Sequence, residues 1–476
     1  MRGKCIMLQG TGSSVGKSLL CAALCRIFTQ DGLRVAPFKA QNMALNSYAT
    51  SEGLEMGRAQ VTQAQACGIA PRVAMNPVLL KPTSDRRSQV VVMGKPLGNM
   101  TAMEYHLYKP ALREKIHEVY CELEHSVDCV VLEGAGSPAE INLRQGDIVN
   151  MDMAQSADAP VILVGDIDLG GVFASLAGTM LLLTPEERAR VKGVIINKFR
   201  GDVEILKPGL RQLEEIIHVP VLGVVPYMAV DIEEEDSVTT RFAQAQGHGE
   251  IDVAIVQLPH MSNFTDFHIV AMEAGVRVRY VTAPDTLQNA DLVILPGTKN
   301  TMEDLLALKA SGMDAAIVRH ARAGGMVVGI CGGYQMLGQQ LSDPDFTESR
   351  VPCLAGLGLL DFSVIFHAEK RTEQAQGVLL QGPDWLESLR GLHVDGYEIH
   401  SGVNVFGPAC RPLIRLTQRG NTKVDVLDGV SNEAGNVWGT YLHGIFDEGG
   451  LYRALIDHVR AQKGIAPGMG ETLSLA

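Results

Sequence analysis

A cysteine framed by glycines is the residue with the clearest chemical potential in this sequence. Cys331 follows the apolar run Met326–Ile330 and is followed directly by Gly332 and Gly333. Glycines permit the sharp, strained turn that pushes a nucleophile out between a strand and a helix. The N-terminus of the next helix would stabilise a thiolate and supply N–H groups to an oxyanion. The pattern predicts a catalytic nucleophile; the alternative is a buried core cysteine.

A cysteine nucleophile needs a general base, and His443 is the candidate. It follows the predicted strand Val437–Tyr441, so His443 and Cys331 would lie at the same edge of one sheet. Asp447 and Glu398 are the carboxylates that we expect to orient the imidazole, unless cysteine and histidine act as a dyad. A purely structural histidine is the alternative interpretation.

A turn after the predicted strand Leu292–Leu295 would complete this site. Gly297 and Thr298 follow a proline there, and the N–H of Thr298 is predicted to be an oxyanion donor beside that of Gly332. The alternative is a simple Pro-Gly turn without a catalytic role.

The second chemical signal is a glycine-rich turn near the N-terminus. Residues 10–18 read Gly-Thr-Gly-Ser-Ser-Val-Gly-Lys-Ser, between the predicted strand Cys5–Gln9 and the predicted helix Lys17–Gln30. In a P-loop, backbone N–H groups surround phosphates, the lysine reaches the β- and γ-phosphates, and the hydroxyl binds Mg²⁺. Thr11 stands where the usual pattern has its first glycine. We therefore predict that ATP is bound by Gly12, Ser13, Ser14, Val15, Gly16, Lys17 and Ser18.

Both signals lie in series of short apolar strands that alternate with helices. The first series consists of Cys5–Gln9, Val35–Phe38, Cys129–Leu132, Val161–Val164 and Gly193–Ile196. The second consists of Ile251–Gln257, Leu292–Leu295, Met326–Ile330 and Val437–Tyr441. Such patterns indicate mostly parallel sheets, so we predict two α/β domains. The predicted limits are 1–230 for the ATP-binding domain, 231–250 for an acidic linker, 251–450 for the cysteine domain and 451–476 for a C-terminal helix and tail.

The bulk composition narrows the class of protein. The 476 residues carry a net charge of −13, which argues against nucleic-acid binding because phosphate contacts need clustered Lys and Arg. The nine cysteines form no C-x-x-C pair, as expected of a reduced chain. No membrane-spanning apolar stretch or signal-peptide pattern stands out, so we expect a cytoplasmic protein without a membrane partner.

The glycine-rich turn resembles the dethiobiotin synthetase-like branch of P-loop proteins. Glu133 in Glu-Gly-Ala-Gly resembles a carboxylate of that branch, which implies that it holds Mg²⁺ together with Ser18. Asn197 ends a predicted strand where relatives read adenine, and Lys39 matches a lysine that faces phosphate or substrate. The alternatives are a capping glutamate, a turn-forming asparagine and a surface lysine.

The surroundings of Cys331 and His443 resemble the triad-type glutamine amidotransferases, which take ammonia from L-glutamine. Most members of that family have His-Pro-Glu, whereas Ile445 stands here at the third position. The amidotransferases of corrinoid synthesis are the branch that lacks this glutamate. The presence of Ile445 in place of the glutamate therefore indicates the amidotransferases of corrinoid synthesis.

The combined chain resembles the cobyric acid synthase family. The segments that carry the resemblance are residues 39–47, 55–60, 76–82 and 396–402. It implies ATP- and glutamine-dependent amidation of the b, d, e and g carboxylates of a corrinoid, adenosylcobyrinic acid a,c-diamide, to give adenosylcobyric acid. The candidate contacts with this polyanionic substrate are Lys39, Gln41, Asn42, Lys81, Arg86 and Arg87.

Two other functions are weighed against this one. The a,c-diamide synthases have the same two modules and fewer target carboxylates, but the segment around Gln41 and Asn42 favours the cobyric acid synthases. A partitioning ATPase with a vestigial glutaminase domain is the alternative from another class. Those ATPases have a second lysine where this chain has Gly12, and an intact frame around Cys331 argues against a vestigial domain.

Overall fold

The computed structural model describes residues 3–84, 87–228, 249–380, 384–447, 450–468 and 472–473. The chain forms two compact units, one of Met1–Ala44 and Met56–Glu233 and the other of Leu45–Glu55 and Glu234–Ala476. Most of the predicted linker lies outside the described residues. Among those that are described, no helix is long and apolar enough to cross a bilayer.

The first half of the chain alternates strands and helices. Its strands are β1 (Lys4–Gly10), β2 (Val35–Phe38), β3 (Gln41–Met43), β4 (Ser47–Ala49), β5 (Glu55–Gly57), β6 (Val78–Ser84), β7 (Arg87–Val92), β8 (Lys95–Thr101), β9 (Cys129–Glu133), β10 (Val161–Asp166), β11 (Val191–Phe199) and β12 (Val221–Pro226). Its helices are α1 (Lys17–Gln30), α2 (Arg58–Ala66), α3 (Ala102–Ser126), α4 (Met151–Ser156), α5 (Val172–Leu182), α6 (Pro185–Arg190) and α7 (Val203–Ile217).

A parallel six-stranded sheet forms the centre of the first unit, in the order β12-β11-β10-β1-β9-β2. Strands β9 and β10 are buried along their whole length, which explains their continuous runs of Val, Ile and Leu. A separate sheet has the order β3-β6-β7-β8 and was not foreseen from the sequence. The carboxyl ends of β1 and β9 lie side by side, so they bring the glycine-rich turn next to Glu133.

The second half of the chain continues with a mixed sheet. Its strands are β13 (Gly249–Val256), β14 (Gly275–Val281), β15 (Leu292–Leu295), β16 (Met326–Ile330), β17 (Gln340–Ser342), β18 (Cys353–Ala355), β19 (Phe362–Leu379), β20 (His393–Phe406), β21 (Arg411–Arg419), β22 (Thr422–Ser431) and β23 (Val437–Thr440). Its helices are α8 (His268–Met272), α9 (Thr301–Ala310), α10 (Met313–Arg322), α11 (Gly332–Leu337) and α12 (Gly450–Gln462).

The sheet of the second unit is parallel on one side and largely antiparallel on the other. Strands β14, β13, β15, β16 and β23 pair in parallel, and β22, β21, β19 and β20 continue in antiparallel pairs. Strand β16 lies between β15 and β23 and is completely buried. Its carboxyl end therefore fixes the residue that follows, Cys331, between two neighbouring parallel strands in the interior of the sheet. The predicted α/β class with two domains is confirmed.

Candidate active site

Cys331 lies on a strained turn between β16 and α11. Its backbone has φ 49° and ψ −109°, a conformation that L-residues rarely adopt and that is typical of a nucleophile elbow. A Cβ atom at Gly333 would lie 2.1 Å from the carbonyl oxygen of Leu295, so this position requires glycine. The thiol is almost completely buried, and its Sγ lies 3.6 Å from the carbonyl oxygen of Ile399. Strand, turn and helix together hold the sulfur in one place.

His443 is positioned by a carboxylate that the sequence did not reveal. Its Nδ1 lies 2.7 Å from Oδ2 of Asp266, and both side chains are buried. The other oxygen of Asp266 accepts the N–H of Gly444 at 3.0 Å. The expectation that Asp447 or Glu398 orients the imidazole is wrong, because Asp266 holds that position.

Glu398 belongs to a different network of the second unit. It accepts hydrogen bonds from Nε of Arg419 at 2.6 Å and from Nη2 of Arg419 at 2.9 Å, and it faces His400 at 3.3 Å. Burial alone would raise its pKa, but His400 and Arg419 bring the pKa below its usual range. The carboxylate is therefore committed to an ion-pair network rather than to His443.

The protonation of His443 follows from its neighbours. Burial alone would lower the pKa of the imidazole, but the charges of Asp266 and Cys331, together with hydrogen bonds to both, raise it to about 10. The ring is therefore protonated at neutral pH and faces the sulfur of Cys331. An imidazolium beside a cysteine stabilises the thiolate, which is the nucleophilic form.

The predicted oxyanion residues come together at this site. A Cβ atom at Gly332 would lie 3.1 Å from the backbone N of Thr298, and one at Gly297 would lie 2.8 Å from Cε1 of His443. The hydroxyl of Thr298 donates to the carbonyl oxygen of His260 at 3.1 Å, which holds the turn in place. The oxyanion role of these N–H groups stays a prediction.

The glycine-rich turn in the first unit has the curvature of a phosphate-binding loop. Gly16 has φ 94° and caps α1, and Ser14 has φ 56°. The side chain of Lys17 is buried, and its Nζ donates to the carbonyl oxygens of Gly12 at 2.9 Å and of Gly136 at 3.1 Å. The ammonium thus lies across the mouth of the loop, where the phosphates of a nucleotide would bind.

Glu133 is surrounded by donors at the end of β9. It accepts hydrogen bonds from Ser18 at 2.8 Å, from Nζ of Lys39 at 2.9 Å and from Nε2 of Gln63 at 2.6 Å. Burial would raise its pKa, but the charge of Lys39 and these three hydrogen bonds lower it below the usual range. The carboxylate is therefore ionised, and it lies beside the hydroxyl of Ser18.

Two asparagines support the loops around this carboxylate. Nδ2 of Asn197 donates to the carbonyl oxygen of Val15 at 2.9 Å, so it fixes the glycine-rich turn; its predicted role in reading adenine stays a prediction. Asn150 bonds both the N–H and the carbonyl of Ala135, at 3.1 and 2.7 Å. These contacts hold the glycine-rich turn and the loop after β9 in a defined shape.

The residues predicted to contact the substrate differ in their burial. Asn42 is buried, and its Nδ2 donates to Oε1 of Gln60 at 3.1 Å. Oε1 of Gln41 accepts a hydrogen bond from the hydroxyl of Tyr105. Lys81 is buried on β6, in the sheet that also contains β3. Arg87 is exposed on β7, and Arg86 lies outside the described residues. Their contacts with a substrate stay predictions.

Asp266, Gln63 and Asn150 shape these sites and were not predicted from the sequence. Asp266 is 177 residues from His443 in the chain, Gln63 is 70 residues from Glu133, and Asn150 is 15 residues from Ala135. The only signal for Asp266 is its place in Asn-Phe-Thr-Asp-Phe, where polar residues stand within an aromatic frame shortly after a buried strand. Such a pattern shows that a polar group is buried but does not show its partner.

Each half of the chain matches the model of a known protein family. Residues 6–238 match the CobQ/CobB/MinD/ParA nucleotide binding domain. Residues 252–450 match the CobB/CobQ-like glutamine amidotransferase domain. The fold and the two sites thus define a glutamine amidotransferase fused to a P-loop nucleotide-binding domain.

Curated relatives match nearly the whole chain. The cobyric acid synthase of Alkaliphilus metalliredigens is 55% identical over 96% of this chain and 92% of its own length. That of Photorhabdus laumondii is 52% identical over 99% of this chain and 92% of its own length. The chain belongs to the cobyric acid synthase family.

Proposed function

We propose that this protein amidates the b, d, e and g carboxylates of adenosylcobyrinic acid a,c-diamide with ammonia from glutamine, at the expense of ATP, and so forms adenosylcobyric acid. The observation that carries the proposal is a complete cysteine–histidine–aspartate arrangement in one unit and a P-loop beside an ionised carboxylate in the other. Family membership over the whole chain supports the corrinoid as substrate. We place the reaction in the cytoplasm.

The first half of the reaction takes place at Cys331. The thiolate attacks the side-chain amide carbon of glutamine, and the N–H groups of Gly332 and Thr298 stabilise the oxyanion. His443 gives its proton to the nitrogen, the C–N bond breaks, and ammonia leaves a glutamyl thioester. Water then attacks the thioester, His443 takes its proton, and glutamate departs as the thiolate forms again.

The second half activates a carboxylate of the corrinoid. An oxygen of that carboxylate attacks the γ-phosphorus of ATP, which gives an acyl phosphate and ADP. Ammonia attacks the acyl carbon and phosphate leaves, because phosphate is a far better leaving group than oxide. Lys17 stabilises the negative charge on the transferred phosphoryl group, and Lys39 is near enough to Glu133 to contribute a second positive charge.

The oxygen atoms around Glu133 suit a magnesium ion. Mg²⁺ prefers oxygen ligands and is usually bound by one or two protein groups together with phosphates. The hydroxyl of Ser18 and the carboxylate of Glu133 are 2.8 Å apart, so both would hold the same ion. When bound, the ion would neutralise charge on the phosphate oxygens.

The test is an incubation with ATP, Mg²⁺, glutamine and separate corrinoid acids, followed by mass spectrometry to count the amides that are added. We expect four additions to the a,c-diamide. Two additions to cobyrinic acid and none to the a,c-diamide would instead identify an a,c-diamide synthase. ATP hydrolysis without any amide product would rule out both amidation reactions.

A further inference from the structure

A short segment from the first half of the sequence belongs to the unit that contains the cysteine. Residues Leu45–Glu55 are grouped with that unit and are largely buried. Nζ of Lys370 forms an ion pair with Glu55 at 2.6 Å, and Nε2 of Gln374 donates to the carbonyl oxygen of Ala49. Both partners are on β19, so this strand holds two points of the segment.

Asn263 holds the other end of the Leu45–Glu55 segment. Its Nδ2 donates to the carbonyl oxygen of Ser47 at 2.9 Å and to the hydroxyl of Tyr397 at 3.0 Å. Its Oδ1 accepts the N–H of Ser47 at 3.4 Å. Asn263 is almost completely buried and has φ 52°, a left-handed conformation that asparagine tolerates better than most residues. One amide therefore joins the backbone of the segment to Tyr397.

Tyr397 is in direct contact with the catalytic histidine. Its backbone N–H donates to the carbonyl oxygen of His443 at 3.1 Å, and its carbonyl accepts the N–H of His443 at 2.9 Å. The two rings stack with their centroids 5.4 Å apart, and Tyr48 of the segment packs against Tyr397 at 5.0 Å. Tyr397 therefore fixes the backbone of His443 and one face of its ring.

Asn263 also begins the turn that carries Asp266. The N–H of Asp266 donates to the carbonyl oxygen of Asn263 at 3.1 Å. His443 thus has two supports, the carboxylate of Asp266 on its Nδ1 and the ring of Tyr397. Both supports depend on the buried Asn263. That residue is in turn bonded to the Leu45–Glu55 segment.

We propose that Asn263 is a positioning residue for glutamine hydrolysis, through which the Leu45–Glu55 segment holds His443 in its productive orientation. The inference rests on the proposed glutaminase reaction. Gln41 and Asn42, the candidate substrate contacts, stand a few residues before the segment in the chain. The geometry of His443 therefore depends on residues that are covalently continuous with the candidate substrate-binding strand β3.

The test compares glutamine hydrolysis with amidation from added ammonia in the full-length protein. Asn263→Ala removes three hydrogen bonds, and we expect the kcat of glutamine hydrolysis to fall about 10- to 100-fold with little change in KM, because small misplacement of a catalytic group costs this much. Asn263→Asp keeps the volume but cannot donate, so we expect a similar loss. Amidation supported by ammonia should stay within about twofold of the wild type.

Asn436 provides a matched control in the same unit. It is also a buried asparagine, and its Nδ2 donates to the carbonyl oxygens of Ala321 and Gly325 at 2.8 and 2.9 Å, at the opposite end of β23 from His443. Asn436→Ala should lower the melting temperature but leave the kcat of glutamine hydrolysis near the wild-type value. Tyr48→Ala, which leaves Asn263 intact, should lower that kcat.

Two results would overturn the positioning role. One is a folded Asn263→Ala protein that hydrolyses glutamine at the wild-type rate. The other is an equal loss of glutamine hydrolysis and ammonia-supported amidation, which indicates a general structural role. If Asn263→Ala does not fold, wild-type hydrolysis by the Tyr48→Ala variant overturns the proposal. Absence of glutamine hydrolysis in the wild type would contradict the proposed function itself.

Discussion

The imidazole of His443 keeps one orientation because its two nitrogen atoms have different partners. Nδ1 is paired with Asp266 at 2.7 Å, which leaves Nε2 for Cys331. In the proposed mechanism, Asp266 takes the part that the resemblance to triad-type glutamine amidotransferases assigns to the glutamate of a His-Pro-Glu sequence. The aspartate comes from a distant loop, so the replacement of that glutamate by Ile445 does not remove the triad.

Replacement of Asp266 by Asn should change the pH dependence of glutamine hydrolysis. The negative charge of Asp266 helps to raise the pKa of His443 to about 10, so its removal lowers that pKa. We expect the alkaline limb of kcat/KM to move to lower pH, because the imidazolium that protonates the leaving nitrogen is lost earlier. We also expect kcat to fall about 10²-fold or more. Rates measured between pH 6 and 11 test this.

Asp447→Asn is the control for the Asp266 variant, since its carboxylate does not hold Nδ1. The alkaline limb of kcat/KM for Asp447→Asn should stay where the wild type has it. An unchanged limb in Asp266→Asn would contradict the pairing of Asp266 with Nδ1 of His443.

The raised pKa of His443 also affects the stability of the fold. The charge of the imidazolium stabilises the fold fully below the unfolded pKa of 6.5, and this contribution is lost as pH rises through about 10.

Asp428 is a buried carboxyl that should destabilise the fold at neutral pH. Burial, together with the charge of Glu398, raises its pKa from 3.8 to about 6. A raised carboxyl pKa means that the folded state loses stability as pH rises from 3.8 through 6. Asp428→Asn keeps an oxygen acceptor for the backbone N–H of Tyr441, and its amide N–H can donate to the hydroxyl oxygen of Thr440, which donates to Asp428 in the wild type. We therefore expect its melting temperature to exceed that of the wild type by about 3 °C at pH 8.

The pH comparison separates a charge effect from a packing effect at Asp428. Near pH 4 the wild-type carboxyl is already mostly protonated in the folded state, so the advantage of Asp428→Asn should disappear. Calorimetry or circular dichroism at the two pH values measures it. An equal shift in melting temperature at both would refute the charge explanation.

At the scale of elements, the sequence predicts the buried parallel strands well and the antiparallel ones poorly. The bounds of β2, β15 and β16 are those expected from the sequence, because strands buried on both faces have continuous apolar runs. The bounds of helix α1 also agree, because its apolar residues recur at helical spacing. Strands β19 to β22 were not foreseen. In β19 half-buried positions alternate with buried ones on either side of the polar stretch His-Ala-Glu-Lys-Arg-Thr-Glu-Gln, which does not differ from a loop in composition.

The tight packing of the turn between β16 and α11 can be tested at Gly333. Alanine there would place its Cβ 2.1 Å from the carbonyl oxygen of Leu295 and 2.7 Å from that of Pro296, both of which are backbone atoms. We expect Gly333→Ala to lower the free energy of unfolding by about 1–3 kcal/mol and to reduce glutamine hydrolysis. Urea unfolding and a glutaminase assay measure the two effects.

Gly178→Ala is the control for the elbow variant. Gly178 is inside α5, and a Cβ atom there would meet nothing within 4 Å. We expect no loss of stability and a slight gain, because alanine favours helices. If Gly333→Ala behaved in the same way, the close packing of α11 against β15 would be refuted.

At the scale of the whole molecule, the sequence predicts two domains but not the exchange of a segment. A single boundary near residues 230–250 follows from the acidic run and the new series of strands. The Leu45–Glu55 segment is grouped with the second unit although it comes from the first half of the chain. It is too short for a periodic pattern, and its polar residues have partners more than 200 residues away, such as Asn263 for Ser47.

The division into two units predicts that the two half-reactions can be lost separately. Cys331→Ala removes the nucleophile, so glutamine-supported amidation should fall about 10³-fold or more while amidation from added ammonia continues. Lys17→Ala removes the charge that stabilises phosphoryl transfer, so amidation should fall about 10²-fold with either nitrogen source while glutamine hydrolysis continues. Counting amides by mass spectrometry and measuring glutamate release give both readouts. A Cys331→Ala protein that is folded but inactive with ammonia would contradict the separation, because Cys331 would then be needed for the synthetase reaction itself.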